Sequence, residues 1–242
     1  MTRILGGGGS RLRGVVSFAP VCLLALAASA CHGATSPSST RVELQNIVDP
    51  ETVNAVSLFN SCVGHPFPAP NSPNSAKNYF WPTSTNFSTN DQLKIFAACA
   101  GTVSQKSSDT SPDQQDRGRT VHLTCDGSAT ALRYFHLNFA AGLLGRHLNA
   151  GEMMGYAAMV GTGQVPAPNP AWYFSSNFDV AVSDGDDSKT ENYFARLSPA
   201  ALAAWNARGV TSVSQTAASP QNCSSYSSDI PNPGILLFSP AR

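Results

Sequence analysis

The segment RYFHLNFAAGLLGRHLNAGEMMGYA, residues 133–157, carries most of the information about the fold. Two apolar, β-prone runs, 132–139 and 153–160, flank a turn region rich in small residues. Glycine recurs in and around that region, at Gly142, Gly145, Gly151 and Gly155. Because glycine between β-prone runs marks tight turns, positive φ or close backbone approach, the pattern predicts a compact antiparallel β fold. His136 lies inside the first of the two predicted strands.

The rest of the chain supplies further strands. They are predicted at 78–82, 93–104, 120–125 and 174–182. Residues 120–125 alternate apolar and polar side chains, and an Asp-Gly turn at 126–127 returns the chain into a partner strand at 131–137. His122 and His147 fall at polar positions of this pattern, which predicts that both lie on the surface. The predicted fold class is therefore mostly β.

Two short helices and one irregular segment complete the local prediction. Residues 49–51 (Asp-Pro-Glu) supply an N-cap, a first-turn proline and a first-turn acid, which predicts a short N-terminal helix ending at Cys62. A Ser-Pro pair at 198–199 predicts a short C-terminal helix over 200–207. Between them, residues 64–76 contain four prolines and are predicted to form a loop that includes His65.

The N-terminus has the three parts of an export signal. Its basic residues are Arg3, Arg11 and Arg13. An apolar run at 15–27, too short and too interrupted to span a membrane, leads to small residues at 28–30. This pattern predicts a signal peptide over 1–30.

Cleavage after residue 30 would make Cys31 the first residue of the exported chain. The segment LAASAC at 26–31 resembles a bacterial lipoprotein signal, which implies lipidation of Cys31 and a membrane anchor. Residues 31–48 are then predicted to form a flexible tether, followed by one β domain over 49–242. Soluble secretion remains the alternative.

Composition excludes one class of partner. The chain has 15 basic and 15 acidic residues, and the predicted signal peptide removes only basic ones, leaving a formal charge of −3. No basic patch is present, so we do not expect nucleic acid as a partner. With only 12% charged residues and many small polar ones, the composition fits an exported β protein.

Four cysteines remain beyond the signal and the lipidation site. They are Cys62, Cys99, Cys125 and Cys223. In an exported domain they imply two disulfides with three possible pairings; a zinc site is the competing interpretation, but the chain has no CxxC pair. Cys99 and Cys125 lie in predicted neighbouring strands, which favours that bridge and leaves Cys62 for Cys223.

Four sequence segments, taken in order, resemble a known family. They are KIFAACAGTV (94–103), VHLTCDGSATALRYFHL (121–137), LGRHLNAGEMMGYA (144–157) and SSNFDVAV (175–182). Together they resemble the lysostaphin/LytM-type zinc endopeptidases of bacterial cell walls. The resemblance covers a core of residues 77–182 and implies an antiparallel β-sandwich, a barrel-sandwich hybrid known as the duplicated hybrid motif.

The resemblance also implies that the zinc ligands are missing. The family's Y-x-H-L strand is kept at Tyr134 and His136, so His136 is a relict of a catalytic position. The histidines of the family's closing H-x-H motif are replaced by Ser175 and Asn177, and the early His and Asp align with Asn78 and Pro82. Catalytic zinc needs three protein ligands from His, Cys, Asp or Glu. We therefore expect no metal and no other cofactor, with Asn78, Ser175 and Asn177 clustered around His136.

The remaining groove is predicted to bind rather than to hydrolyse. The predicted groove residues are Tyr134, His136, Ser175, Asn177 and Asp179. The resemblance implies an exported cell-envelope protein with a catalytically degenerate domain that binds peptidoglycan or a cell-wall enzyme. The alternative is an active zinc metalloendopeptidase with unorthodox ligands, for which His65, His136 and Asp179 are the candidates. A third possibility is a fold kept only as a scaffold.

Overall fold

A computed structural model describes residues 41–68, 72–83, 93–106, 118–158, 177–226 and 233–238. These form eleven strands: β1 (Val53–Ser57), β2 (Asn78–Pro82), β3 (Lys94–Phe96), β4 (Gly101–Ser104), β5 (Arg119–Cys125), β6 (Thr130–Asn138), β7 (His147–Leu148), β8 (Met153–Ala157), β9 (Phe178–Asp184), β10 (Thr190–Glu191) and β11 (Ile235–Leu237). One α-helix, α1 (Pro199–Asn206), follows the strand β10. The predicted signal peptide, Cys31 and Ser175 lie outside the described residues.

The strands pair antiparallel in one sheet with the order β11-β1-β2-β9-β6-β5-β4-β7. β10 pairs with β9, and β8 pairs with both β6 and β3. The predicted hairpin is present, because Leu123 pairs with Leu132 and Thr124 with Ala131 around the Asp-Gly turn. The mostly β, antiparallel class is thus confirmed, whereas the duplicated hybrid motif stays a prediction.

The main core lies on one face of the central strands. Phe80 of β2 packs against Phe178 of β9 with ring centroids 6.4 Å apart, and against Phe194 at 6.2 Å. Helix α1 adds Trp205, whose ring lies 5.1 Å from that of Phe194. As predicted, α1 begins at a serine cap, with the Ser198 hydroxyl accepting from the Ala201 amide. No helix within the described ranges is long and apolar enough to cross a membrane.

Two predictions for the N-terminal part are wrong. The residues after Asp49 form only a 3₁₀ turn (Pro50–Thr52), and the chain then enters β1 rather than continuing a helix to Cys62. The cap predicted at Asp49 is present, but the β-branched residues that follow are buried between β2 and β11. The tether also ends before residue 48, since Leu44 and Ile47 are fully buried in the main core.

Both disulfides form as predicted. Cys99 bonds to Cys125 with Cα atoms 5.7 Å apart, and Cys62 bonds to Cys223 at 5.6 Å. The first links the segment before β4 to the end of β5, where Gly101 pairs with Cys125. The second links the segment 59–68 to the segment that follows α1, across 161 residues of sequence.

Glycine has the predicted role of permitting close approach. A Cβ atom on Gly155 would lie 2.1 Å from the carbonyl oxygen of Asn138, so only glycine lets β8 run this close to β6. A Cβ on Gly118, whose φ is +73°, would lie 2.7 Å from the carbonyl carbon of His136. The backbone of β6 around His136 is therefore enclosed by glycines.

Candidate functional site

A bulge in β6 places His136 on the face of the sheet opposite the main core. Tyr134 and Leu137 both belong to the main core although they are three positions apart, so the alternation of β6 is shifted between them. The pairing with β5 shifts at the same place. His136 has φ +58°, a conformation that non-glycine residues adopt at an energetic cost and that concentrates at functional sites.

Lys77 and Asp179 form a buried ion pair on this face. The Lys77 ammonium donates to the Oδ2 atom of Asp179, and the two side chains are 1% and 0% exposed. Lys77 lies two residues before Tyr79 of β2, so their side chains are on the same face of the sheet. Tyr79 pairs in register with Asp179 of β9, which places Asp179 on that face as well. A buried charge is stable only when it is paired and hydrogen-bonded, so each of these groups depends on the other.

Three aromatic rings surround the ammonium. Its nitrogen lies 5.0 Å from the ring centroid of Phe67, 4.7 Å from that of Tyr79 and 4.3 Å from that of Phe135. All three distances are within the range of attractive cation–π contact. Phe67 comes from the segment 59–68, so this segment packs across the sheet and covers the ion pair.

The same loop brings His65 to the ammonium. Its Nε2 atom lies 3.0 Å from the Lys77 nitrogen, and its Nδ1 atom lies 2.9 Å from the carbonyl oxygen of Pro66. A carbonyl only accepts and an ammonium only donates, which assigns the proton of the neutral ring to Nδ1 and a lone pair to Nε2. Burial and the neighbouring Lys77 charge lower the pKa of His65, which favours this neutral form.

The electrostatics of the pair favour a charged lysine. Burial opposes the charged form of Lys77, but the interactions with Asp179 and Tyr79 together outweigh burial, and the pKa of Lys77 is raised. Burial also raises the pKa of Tyr79, so its hydroxyl stays neutral beside the ammonium. We call Lys77, Asp179, His65 and His136 the lysine cluster.

His136 completes the lysine cluster from the exposed side. Its Nε2 atom lies 3.4 Å from the Oδ1 atom of Asp179, and its side chain is 29% exposed. That Oδ1 atom is buried and makes no hydrogen bond within the part of the chain that the structure describes. Asp179 therefore directs one carboxylate oxygen at Lys77 and the other toward His136, whose side chain is partly exposed to solvent.

The residues predicted to replace zinc ligands do not gather here. The Asn78 side chain donates to the Ser57 carbonyl and accepts from the Tyr193 amide, so it is committed to the core side of β2. Pro82, at the end of β2, has no side-chain donor atom for a metal. The predicted clustering of Asn78 with His136 is thus wrong, because the alternation of β2 puts Lys77 and not Asn78 on the His136 face. Asn177 lies just before β9 and is partly buried.

A zinc ion does not fit these residues. Among the described residues, no group of three His, Cys, Asp or Glu side chains is arranged to hold a metal. The carboxylate nearest to His136 is already neutralised by the Lys77 ammonium, and a second cation beside it would be repelled.

The Tyr134 hydroxyl, predicted to line the groove, instead accepts from the Ala98 amide inside the main core, where burial raises its pKa well above the usual value.

Sequence reasoning missed Lys77. The available signal was its position two residues before Tyr79, at the start of the aromatic stretch that is predicted as a strand over 78–82. A lysine on the apolar phase of a strand requires a buried acid as partner. His65 was predicted as a loop residue, which is right, but its role depends on Lys77. The surface position predicted for His122 is wrong, since His122 is 3% exposed.

An open cleft lies next to the bulge. It has a volume of about 760 Å³ and is lined by the end of β6, the turn after it and β8. Met153 is 37% exposed, and the Arg119 guanidinium lies 5.3 Å from the ring centroid of Phe139 at the cleft wall. Gly118, which packs against the His136 backbone, also lines it. The cleft thus adjoins the lysine cluster through the backbone of β6.

Comparison with known proteins finds similarity in structure only. No family model matches the chain, and no curated protein matches it. The NMR structure of lysostaphin is similar with a TM-score of 0.38 and 15% identity, covering 63% of this chain and 51% of lysostaphin. The M23 metalloprotease pseudoalterin from the deep sea has a TM-score of 0.38 and 14% identity, covering 64% of this chain and 76% of the other. The SpoIIQ–SpoIIIAH pore-forming complex has a TM-score of 0.41 and 11% identity, covering 65% and 92%.

The chain spans about half of the lysostaphin chain that it matches. The likeness is one of fold alone.

Proposed function

We propose that this protein is an exported, lipid-anchored component of a bacterial cell envelope. Its domain has the form of a cell-wall peptidase but binds peptidoglycan or a cell-wall protein instead of cleaving it. The observation that carries the proposal is the lysine cluster. The groups around His136 are a lysine, a carboxylate that this lysine neutralises, and aromatic rings. Without a metal-bound water, His136 has no activated nucleophile with which to hydrolyse a peptide bond.

The cleft beside β6 supports binding as the remaining activity. It is concave, and it combines exposed apolar surface at Met153 with an arginine stacked on an aromatic ring. Peptidoglycan stem peptides carry small apolar side chains and carboxylates, which such a surface complements. We therefore assign binding to this cleft, next to His136.

Zinc analysis separates the proposal from the peptidase alternative. The full chain is purified and its zinc content is measured, together with release of soluble fragments from peptidoglycan before and after addition of zinc. We expect substoichiometric zinc in the purified protein and no release of soluble peptidoglycan fragments. Stoichiometric zinc that supports hydrolysis would establish the alternative, an active zinc metalloendopeptidase.

Binding is tested by cosedimentation with insoluble peptidoglycan. Met153→Asp places a charge in the cleft and is expected to weaken cosedimentation of the full chain. Leu237→Asp is the matched control, because Leu237 is 55% exposed on β11 at the far edge of the sheet. If both variants cosediment like the wild type, peptidoglycan does not bind at this cleft. In-cell cross-linking then asks whether an envelope protein is captured by the wild type and lost with Met153→Asp.

The lipid anchor has its own test. Cys31→Ser removes the thiol that the lipoprotein signal places at the start of the mature chain. We expect the wild type in the membrane fraction and the variant in the soluble exported fraction. Equal membrane retention of both would mean that another attachment holds the protein, whereas a wild type found in the soluble exported fraction would establish soluble secretion.

A further inference from the structure

We propose that Lys77 and Asp179 react with each other in the folded chain to form an intramolecular isopeptide bond. The bond joins the Lys77 Nζ atom to the Cγ atom of Asp179 as an amide and releases one water molecule. It links the residue directly before β2 to β9 covalently. The inference concerns a modification of the chain by itself and does not depend on what the cleft binds.

The fold holds the two reacting groups in contact in a site without water. The Lys77 ammonium donates to the Oδ2 atom of Asp179, and the two side chains are 1% and 0% exposed. The pairing of Tyr79 with Asp179 fixes the two strands that carry them. Groups held in a reactive geometry act as if at concentrations of about 10⁵–10⁸ M, which favours amide formation over hydrolysis in such a site.

The surroundings penalise charge and therefore favour the neutral product. The rings of Phe67, Tyr79 and Phe135 lie within 5.0 Å of the lysine nitrogen and exclude water from it. The ion pair carries the desolvation cost of two buried charges, whereas an amide carries none of it. Chains in which the amide has not formed keep the ion pair, so the ion pair is the reactant of this step.

His65 is placed to take the proton that the lysine nitrogen must lose before it can attack. Its Nε2 atom lies 3.0 Å from that nitrogen and carries a lone pair, since its Nδ1 proton is donated to the Pro66 carbonyl. Removal of one proton from the ammonium gives the neutral amine, which is the nucleophilic form of lysine. His65 is exposed to solvent, so the accepted proton can leave the site.

His136 is placed to protonate the oxygen that leaves. Its Nε2 atom lies 3.4 Å from the Oδ1 atom of Asp179, which is buried and makes no hydrogen bond among the residues that the structure describes. A proton delivered to Oδ1 neutralises the carboxylate and prepares this oxygen to depart. The His136 side chain is 29% exposed, so it regains a proton from solvent and the released water has an exit on that side.

The step balances without any further reactant. The amine lone pair attacks Cγ and forms the Nζ–Cγ bond, and a second proton passes from the nitrogen to Oδ1. The Cγ–Oδ1 bond then breaks, and Oδ1 leaves with two protons as water while Oδ2 remains as the amide carbonyl oxygen. The nitrogen has lost two protons and Oδ1 has gained two. His65 and His136 return to their starting states by proton exchange with solvent.

The deciding test uses the wild-type full chain after denaturation and reduction of its disulfides. Proteolysis should yield one branched peptide that contains both Lys77 and Asp179 and weighs one water less than the sum of its two parts. The denatured chain should also migrate faster in a gel than an unlinked chain, because the bond closes a loop across 102 residues of sequence. Recovery of Lys77 and Asp179 in separate peptides, after prolonged incubation of the folded protein, would overturn the inference.

Lys77→Arg is the blocked variant. It keeps a positive charge beside Asp179, but a guanidinium is not a nucleophile, so the branched peptide and the fast gel migration should both disappear. Lys106→Arg is the matched control and should keep both, because the Lys106–Asp187 pair is 52% and 43% exposed and its charges are hydrated. A loss of water at Asp179 that persists in Lys77→Arg would identify a succinimide instead of an isopeptide bond.

The roles of the two histidines are tested by the rate of cross-linking. Unfolded chain is refolded under oxidising conditions, and the fast-migrating form is followed over time. His65→Gln and His136→Gln should each slow its appearance by at least about 100-fold, since glutamine neither accepts nor delivers a proton. His147→Gln is the control, on a histidine that is 55% exposed beside Asp126. Cross-linking at the wild-type rate in both test variants would overturn the assigned proton transfers.

Discussion

The Nε2 atom of His136 lies 3.4 Å from the Oδ1 atom of Asp179, across the pair of strands β6 and β9. The residue of β6 that pairs in register with Asp179 is Phe135, not His136. In a regular strand, consecutive side chains point to opposite faces, so His136 would face the main core. The bulge at His136 turns its side chain to the face on which Asp179 lies. The backbone conformation of His136 therefore creates the contact between the two side chains.

Removing the negative charge of the ion pair should be costly. Asp179→Asn keeps the side-chain shape but leaves the Lys77 ammonium buried without an anion, and we expect a loss of about 3–5 kcal/mol in the free energy of unfolding. Urea denaturation measures it. Asp126→Asn is the matched control, because Asp126 is 55% exposed beside His147 and should lose about 1 kcal/mol or less. Equal losses in the two variants would contradict a buried ion pair that depends on both charges.

The double variant Lys77→Met with Asp179→Leu tests the same pair from the other side. Replacing both charges with apolar groups removes their desolvation cost, so the double variant should be more stable than Asp179→Asn alone. Thermal denaturation of the two variants in one buffer decides it. A double variant that is less stable than the single one would show that the aromatic rings need the cation.

The conformation of His136 predicts an unusual order of stabilities. Its φ of +58° is easy for glycine and strained for alanine, so His136→Gly should be more stable than His136→Ala by about 1 kcal/mol. At ordinary strand positions the order is the reverse. Chemical denaturation of both variants checks this. Under the proposed function the wild type has no hydrolase activity, so we also expect no loss of hydrolase activity in either variant.

Asn78 is predicted to be a structural residue. Asn78→Ala leaves the Ser57 carbonyl and the Tyr193 amide without their buried partner, and should cost about 1–3 kcal/mol. Thr102→Ala on an exposed position of β4 is the control, expected to change stability by about 0.5 kcal/mol or less. Equilibrium unfolding in urea compares the two. If Asn78→Ala were neutral in stability but abolished ligand binding, Asn78 would instead act at the binding surface.

Stability should fall in acid through Asp184. Burial opposes its ionisation, but hydrogen bonds from Thr130 and Arg196 and the Arg196 charge outweigh burial, so the pKa of Asp184 is below its usual value of 3.8. A lowered carboxyl pKa stabilises the fold above the unfolded pKa, and that stabilisation is lost as pH falls from 3.8 through the folded pKa. Asp184→Asn should therefore flatten this part of the stability–pH curve. Thermal melts between neutral and acid pH measure it, and an unchanged slope would contradict the prediction.

The two disulfides should differ in their contribution. The Cys99–Cys125 bridge spans a sequence separation of 26 residues and the Cys62–Cys223 bridge one of 161. For these loops the chain-entropy model gives stabilisations of about 3.5 and about 5 kcal/mol. The Cys62→Ser, Cys223→Ser variant should thus be less stable than the Cys99→Ser, Cys125→Ser variant. Urea denaturation of both pairs tests the order. The opposite order would mean that the short bridge holds β4 and β5 by more than chain entropy.

Local signals in the sequence were sufficient for the parts of the fold that neighbouring residues control. Alternation in β5 and β6 and the Asp-Gly turn predicted their hairpin, and that hairpin made Cys125 a reachable partner for Cys99. A serine cap followed by proline predicted α1. The cap at Asp49 was equally strong, yet the helix after it is wrong, because pairing of β1 with β2 and β11 outweighs a local helix preference.

The candidate site depends on contacts between residues that are far apart in sequence. His65, Lys77 and Asp179 meet because the segment 59–68 packs across the sheet and because β2 lies beside β9. His136 joins them through a bulge, which changes the face of one side chain without leaving a signal in the hydrophobic pattern. Motif and periodicity describe what each segment prefers by itself. The buried charge of Lys77 is stable only because the packed sheet places the Asp179 carboxylate against it. The free energy of that ion pair exists only in the assembled fold, so no local sequence signal contains it.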